Sequence, residues 1–234
     1  MFATTLATSV AAAILVVAAS AGPSAAPAPA PQGFAHPQAN GWFPLEPGTT
    51  VVLRGTDDGV HFRERVRVTD HTRVIEGVRT RVVRDVLRRA DGSLAERTTD
   101  FYAADDAGNV WYFGENTATY LPNGHLDSRE GTWLAGRDGA RPGIIMKAHP
   151  KATDAYRQEL YPGHAEDQAW TVGFKATLRT PLRRFHHVLR SFEWTRLEPG
   201  VVSAKYYAEG IGVVREQDVA GGNEQFVVVA VHRR

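Results

Sequence analysis

The chain has 234 residues, of which 43% are hydrophobic and 23% charged, so it can bury a sizeable core and has the composition of a globular protein. Its 27 basic and 26 acidic residues give a net charge of +1, which leaves no overall basic excess for binding nucleic acid or an anionic membrane. Cysteine is absent, which excludes disulfides, thiol nucleophiles and iron–sulfur sites.

The N-terminal residues have the pattern of a secretory signal peptide. The first charged side chain is Glu46, and a run of apolar and small residues over 10–22 precedes it, although the first residues carry no Lys or Arg. This run is shorter than the roughly 20 residues that cross a bilayer. We predict a signal peptide over residues 1–26, cleaved after Ala21 or Ala26, and a secreted, extracellular or envelope-associated protein with no integral membrane span after cleavage.

The composition then changes twice. Residues 27–41 are rich in Pro and Ala, which predicts a disordered, solvated spacer. The apolar sequence that starts at Trp42 marks the beginning of the folded part, which we predict to be a single β domain over residues 42–234.

Turn signals recur through the first half of this domain at glycine spacings of 15 to 18 residues. Each signal is a dipeptide that contains Gly, usually next to Asp or Asn. These dipeptides favour tight hairpin turns, because Asp, Asn and Gly tolerate positive φ. The spacing leaves room for strands of about 8 to 13 residues between turns. The signals are Asp58-Gly59, Glu76-Gly77, Asp91-Gly92, Gly108-Asn109 and Asn123-Gly124.

Residues 60–69 alternate between two faces, as expected of a half-buried strand. Val60, Phe62, Val66 and Val68 share one face, and His61 and three arginines share the other. Glu64 is the one interruption of the apolar face, and it indicates either a bulge or an inward polar contact.

The second half continues the β pattern, with strands predicted over 184–194, 202–208, 211–216 and 224–231 and a turn at Gly210-Ile211-Gly212. No segment has an apolar helical period over three turns. We predict an all-β fold, an antiparallel meander forming a curved sheet or half-barrel, since twist and edge exposure favour closure.

A long Pro/Gly-rich arm over about residues 136–167 interrupts the meander. Its apolar stretch 143–146 is suited to covering the open face of the sheet. Residues 164–170 are predicted to form a single helical turn.

Several motifs carry a family resemblance that covers most of the chain from Trp42 onward. They are WYFGE (111–115), PGIIM (142–146), YRQE-x-YPG-x-AED (156–167), LEPGVV (197–202) and KYYA (205–208). Together they resemble a family of uncharacterised exported bacterial proteins, and the C-terminal hairpin 206–214 is similar to lipoprotein-carrier-like half-barrel domains. The resemblance implies a curved-sheet fold and binding of an apolar ligand or partner, and it assigns no catalytic residue.

The candidate ligand-binding residues fall into two groups. One is the polar cluster of the arm, which either contacts a ligand or pins the arm to the sheet through a structural network. The other consists of large aromatic side chains that either line a cavity or fill the core. The predicted residues are Tyr156, Arg157, Glu159, His164, Glu166, Asp167, Trp111 and Trp133.

Other chemistries lack their motifs. The nine histidines show no metal-ligand spacing, and no nucleophile elbow or phosphate-binding glycine loop is present. The arginine-rich segments near 81–89 and 183–190 are interpreted as solvated strand faces. We therefore predict no catalytic residue, no metal, no cofactor and no nucleic-acid partner.

These observations predict an exported, non-catalytic binding or envelope-associated β module with an unknown apolar or envelope ligand. One alternative is a hydrolase that uses two carboxylates of the 154–167 arm, drawn from Glu159, Glu166 and Asp167. A purely structural role is the other alternative.

Overall fold

The computed structural model describes residues 33–234, so the predicted signal peptide lies outside the described residues. The described chain consists of strands and connections, and no helix within it is long and apolar enough to cross a membrane. The strands are β1 (Thr50–Asp57), β2 (Val60–Ile75), β3 (Val78–Arg89), β4 (Leu94–Ala104), β5 (Val110–Tyr120), β6 (Leu126–Ser128), β7 (Trp133–Leu134), β8 (Arg141–Met146), β9 (Ala155–Arg157), β10 (Glu159–Leu160), β11 (Gln168–Arg179), β12 (Arg184–Trp194), β13 (Val202–Ala208), β14 (Gly212–Ala220) and β15 (Gln225–His232).

All of these strands form one antiparallel sheet, in the order β10-β8-β5-β4-β3-β2-β1-β15-β14-β13-β12-β11-β9, with β6 and β7 pairing with β5. Two meanders, β1–β5 and β11–β15, meet where β1 pairs with β15. The prediction of an all-β antiparallel meander is confirmed, and the sheet is nearly closed.

The turn dipeptides set the register of the first meander. Asp58 and Gly59 have φ angles of 47° and 76°, and Glu76 and Gly77 have φ angles of 49° and 80°. Two successive positive φ values are the signature of the two-residue turn whose twist matches that of antiparallel strands. The predicted strands 184–194 and 202–208 coincide with β12 and β13.

Residues 155–160 join the two edges of the sheet. β9 pairs with β11, whereas β10, one residue further on, pairs with β8 on the other edge. Between them, the backbone N–H of Gln158 donates to the carbonyl of Asp167 at 2.8 Å. This segment therefore encloses the interior on the side where the two meanders do not pair.

The arm differs from its prediction because much of it belongs to the sheet. Residues 143–146, expected to cover an open face, lie in β8, which pairs with β5. The helical turn predicted for 164–170 is wrong. Instead, Tyr161 and Ala165 exchange two backbone hydrogen bonds of 2.8 Å around Gly163, whose φ of +79° favours a tight turn, and β11 begins at Gln168.

In the described part of the predicted spacer, residues 33–41, most side chains are exposed, but Phe34 and Asn40 contact the sheet. The Phe34 and Phe113 ring centroids are 5.7 Å apart. Asn40 is buried, and its side-chain amide donates to the carbonyls of Gly108 at 2.8 Å and Lys147 at 3.0 Å. This segment thereby ties the β4–β5 turn to the end of β8.

The residues that follow cover the same end of the interior. The backbone N–H of Gly210, in the β13–β14 turn, donates to the carbonyl of Gly41. Phe43 then packs edge-on against Tyr102, with ring centroids 5.0 Å apart, and Leu45 lines the interior cavity described below. The N-terminal segment therefore caps one end of the nearly closed sheet.

We expect Gly143→Ala to weaken the closure of the sheet. A Cβ at this position would lie 2.3 Å from the backbone carbonyl oxygen of Gln158, so the closing segment would have to move away from β8. Overpacking of this kind typically costs about 1–3 kcal/mol of the free energy of unfolding. Urea unfolding followed by tryptophan fluorescence measures the loss.

The matched control is Gly173→Ala, also in a strand, where a Cβ would meet nothing within 4 Å and φ is not positive. We expect that variant to be neutral or slightly stabilised. Equal stability of the two variants would contradict the role of the β8 contact.

Candidate functional site

The sheet encloses an interior cavity of about 270 Å³. Its wall near the capped end is largely apolar and includes Phe43, Leu45, Val66, Ile145 and Val213. The rest of the wall carries carboxylates and a single cation, Lys205. The carboxylates that line the interior cavity are Glu64, Asp85, Glu96, Asp100, Glu115 and Glu216.

Strand alternation puts these carboxylates inside. Asp85 on β3 is opposite Val66 on β2 and Thr98 on β4, so the carboxylate lies in the same inward row as apolar side chains. Asp100 on β4 is opposite Glu115 on β5, which places two carboxylates side by side in the interior. Charged residues thus occupy positions that the binary pattern of a β-sheet reserves for the core.

Lys205 is held by carboxylates on its two neighbouring strands. Its Nζ lies 3.2 Å from Glu193 Oε2 and 3.4 Å from Glu216 Oε1. Burial alone would lower the Lys205 pKa, but these two carboxylates outweigh it and raise that pKa well above its usual value. Glu193 Oε1 also accepts hydrogen bonds from the Tyr207 hydroxyl at 2.8 Å and Ser191 Oγ at 2.9 Å. The lysine is therefore charged and paired with two protein carboxylates.

Within residues 33–234, no cation contacts the carboxylates on β4 and β5. Burial raises the pKa of Asp100 to about 7, although the Tyr112 hydroxyl, 2.7 Å away, partly offsets the shift. Burial, with the charge of Asp100, raises the pKa of Glu115 to about 9. These groups hold protons at neutral pH that an exposed carboxylate would have lost.

Glu64 and Asp85 form a second pair of interacting acids. Burial and the charge of Asp85 raise the pKa of Glu64 well above its usual value, and burial also raises the pKa of Asp85. The hydrogen bond between the two side chains lowers the Asp85 pKa and raises that of Glu64, which places the shared proton on Glu64. From here the carboxylate row continues away from the cap into an adjoining space, where burial raises the pKa of Glu224 to about 7.

Of the predicted site residues, the structure brings Trp133 and Glu159 into contact. The Trp133 indole N–H donates to Glu159 Oε1 at 3.1 Å, and both side chains are buried. Burial, followed by the charge of Asp167, raises the pKa of Glu159 to about 8. Glu159 is therefore another buried carboxylate that retains a proton near neutral pH. Arg157 is exposed and does not pair with it.

Glu166 stabilises the end of the arm through contacts with the backbone and with Arg196. Its Oε1 accepts the backbone N–H of Gly163 at 2.8 Å, and its Oε2 lies 2.6 Å from Arg196 Nη2. The Gly163 hydrogen bond, followed by that of Arg196, lowers the Glu166 pKa. His164 stacks on Tyr161 in the same turn, with ring centroids 4.3 Å apart. These contacts match the structural alternative, in which the polar cluster pins the arm.

The remaining predicted residues are dispersed. Trp111 donates its indole N–H to Asp105 Oδ2 at 2.9 Å and packs beside Phe34, away from Trp133. The Tyr156 ring lies under Lys147, with Nζ 5.7 Å from its centroid. The Asp167 side chain is exposed, and its backbone carbonyl anchors the closing segment.

The interior cavity residues were not predicted from the sequence, although one signal was present. Glu64 was recognised as an interruption of an apolar row, and the structure shows that it is an inward polar contact. The same alternation holds for Asp85 between Val83 and Leu87. Extending it to β3 would have placed the Asp85 carboxylate on the inner face. Lys205 gives no such signal, because its neighbours Ala204 and Tyr206 form the apolar row of β13.

Among residues 33–234, no three His, Asp or Glu side chains are arranged to hold a metal ion. No family model and no curated protein matches the chain. The resemblance to uncharacterised exported proteins thus stays an expectation.

Two solved structures are similar to the chain. One is a Bacteroides fragilis protein described as a "putative exported protein with YmcC-like fold", with 14% identity and a TM-score of 0.47 over 83% of this chain and 100% of that one. The other is a "putative lipoprotein" from Parabacteroides distasonis, with 11% identity and a TM-score of 0.47 over the same shares of the two chains. With TM-scores below 0.5, neither similarity bears on what this chain does.

The free energy of unfolding should fall as pH rises from about 5 to 9. Asp100, Glu115 and Glu159 have folded pKa values of about 7, 9 and 8, above those of the unfolded chain. Their favourable contribution is complete below the unfolded pKa near 4 and is lost as pH passes the folded values. Each pKa unit corresponds to about 1.4 kcal/mol per group, so a decline of several kcal/mol is expected. Urea unfolding at pH 5, 7 and 9 measures it.

Glu115→Gln should flatten this decline, because it removes one of the titrating groups. The matched control Glu130→Gln alters an exposed side chain and should leave the pH profile unchanged. A free energy of unfolding that rises with pH, or identical slopes for the two variants, would contradict the interior placement of the carboxylates.

Proposed function

We propose that this protein is an exported, non-catalytic β module that binds a small ligand in its interior cavity. The observation that carries the proposal is the cavity of about 270 Å³, which has an apolar wall at the capped end and a polar wall beyond it. Sites for small molecules typically combine a mainly apolar lining with a few polar groups that fix orientation. The cavity replaces the arm as the proposed site.

The lining favours a ligand with an apolar body and a protonated amine. The only lysine of the cavity wall is already paired with Glu193 and Glu216, so the other carboxylates lack a cation. Burial raises the Asp85 pKa, but the hydrogen bond with Glu64 lowers it and so favours the ionised form of Asp85, which can accept an N–H of an ammonium group. Apolar burial against Phe43 and Val66 contributes about 25 cal/mol per Å². An anionic ligand would be repelled by the ionised carboxylates, and a purely apolar ligand would make no polar contact with this wall.

Octylamine, octanol and octanoate are suitable probes, because they share an apolar chain and differ in head-group charge. We expect octylamine to raise the Tm of the purified protein more than octanol, and octanoate to have no effect. The octylamine shift should grow between pH 6 and pH 9, because ionised carboxylates bind an ammonium more tightly.

Asp85→Asn should reduce the octylamine shift, whereas the matched control Asp127→Asn, at an exposed position, should retain it. Equal shifts with octylamine and octanoate, or an Asp85→Asn variant that responds like the native chain, would contradict the proposed amine site.

The hydrolase alternative now depends on Glu159 and Asp167. Glu166 is ionised and paired with Arg196, so its charge is already engaged. Burial raises the pKa of Glu159 to about 8, so Glu159 retains a proton near neutral pH and could act as a general acid. Glycoside and ester panels test this alternative. Turnover that Glu159→Gln abolishes without loss of Tm would replace the binding proposal.

Export is part of the proposal and is supported by the N-terminal pattern of the sequence. Expression of the full chain in an exporting bacterial host should yield a protein that lacks its first residues. Intact mass measurement is expected to place the cleavage after Ala21 or Ala26. A full-length mass in the cytoplasmic fraction would contradict export.

A further inference from the structure

Six arginines share the outer face of three adjacent strands, and we call them the arginine face. Strand register aligns them in rows: Arg54 is opposite Arg63, which is opposite Arg88, and Arg67 is opposite Arg84. All are exposed except the half-buried Arg67. The arginine face consists of Arg54, Arg63, Arg65, Arg67, Arg84 and Arg88.

These side chains have no acidic partner in the described part of the chain. None of the six forms an ion pair, and the one recorded side-chain hydrogen bond joins Arg88 Nη1 to the carbonyl of Gly92 at 2.9 Å. Like charges directly opposite each other on a sheet are destabilising. The guanidinium groups of the arginine face therefore repel one another in the native sheet, and a bound anion would relieve that repulsion.

Charge segregation explains why the composition conceals this surface. Six acidic residues line the interior cavity together with Lys205. Of the 27 basic and 26 acidic residues, 26 basic and 20 acidic ones remain outside that cavity. The net charge of +1 is thus the sum of an acidic interior and a basic exterior, and it understates the positive potential that a partner meets.

The arginine face contains two depressions. A depression of about 370 Å³ is lined by Arg63, Arg65, Arg67, Arg84 and Arg88, with Val86 between them. An adjoining depression of about 700 Å³ shares Arg63 and Arg88, and Arg54, Arg89 and Arg215 also line it. The planar guanidinium group binds phosphate in a bidentate fashion, so each depression offers several phosphate-binding groups within one concavity.

We propose that the arginine face binds linear inorganic polyphosphate. A chain of phosphates can enter both depressions, whereas a bilayer surface is flat and none of the exposed large hydrophobic side chains lies among these arginines to insert into it. Single-stranded nucleic acid is held by stacking on exposed aromatic side chains. The 370 Å³ depression has no aromatic lining residue, and of the two phenylalanines that line the adjoining depression, Phe226 is buried and Phe62 half-buried. The arginine face is separate from the interior cavity, so this inference goes beyond the amine-binding proposal.

The test is binding of long-chain inorganic polyphosphate to the purified protein, measured by calorimetry at increasing salt. We expect log Kd to rise linearly with the logarithm of the salt concentration, because counterions are released when arginines neutralise the phosphates. The triple variant Arg63→Gln/Arg65→Gln/Arg84→Gln should weaken binding at least about tenfold at low salt and reduce the salt slope by about 2. Its Tm should equal or exceed that of the native chain, because repulsion is relieved.

The matched control is Arg129→Gln/Arg137→Gln/Arg179→Gln, which removes the same charge from exposed arginines elsewhere. It should bind polyphosphate almost as the native chain does. Equal weakening by both triple variants would overturn the proposal, because net charge alone would then explain binding. Tighter binding to poly(dT), or to vesicles of anionic phospholipid, than to polyphosphate would overturn it in favour of nucleic acid or a membrane surface.

Discussion

Closure of the sheet by residues 155–160 is the constraint from which the other features follow. Because this segment pairs with β11 through β9 and with β8 through β10, the two meanders have an inside and an outside. Strand alternation then sorts every side chain to one or the other. Without closure, the inward carboxylates would face bulk water and their pKa values would lie near those of exposed acids.

This sorting has opposite electrostatic consequences on the two faces. Inside, Asp100 and Glu115 lie side by side at reduced hydration, so protons are retained. Outside, Arg54, Arg63 and Arg88 lie in one row exposed to water, where their charge is available to a partner. A protein with a net charge of +1 therefore presents an acidic interior and a basic face.

The sequence predicted the fold class and several strand bounds, because turn chemistry and alternation are local signals. β12 and β13 coincide with their predictions, and Asp58-Gly59 and Glu76-Gly77 form the expected turns. Closure could not be predicted, since it depends on pairing between segments that are distant in the chain. The proposed interior site was not predicted either. In the arm, Glu166 accepts a hydrogen bond from the local backbone and pairs with Arg196, whereas the cavity carboxylates come from five separate strands.

The most direct test of this account is a carboxyl ¹³C NMR titration of the Asp and Glu side chains of the folded protein. The account predicts that a subset, including Asp100 and Glu115, titrates at or above pH 7, well separated from exposed acids near pH 4. If every carboxyl group titrated between about pH 3 and 5, the carboxylates would not lie in an enclosed interior. The interior cavity and the charge segregation would then both be wrong.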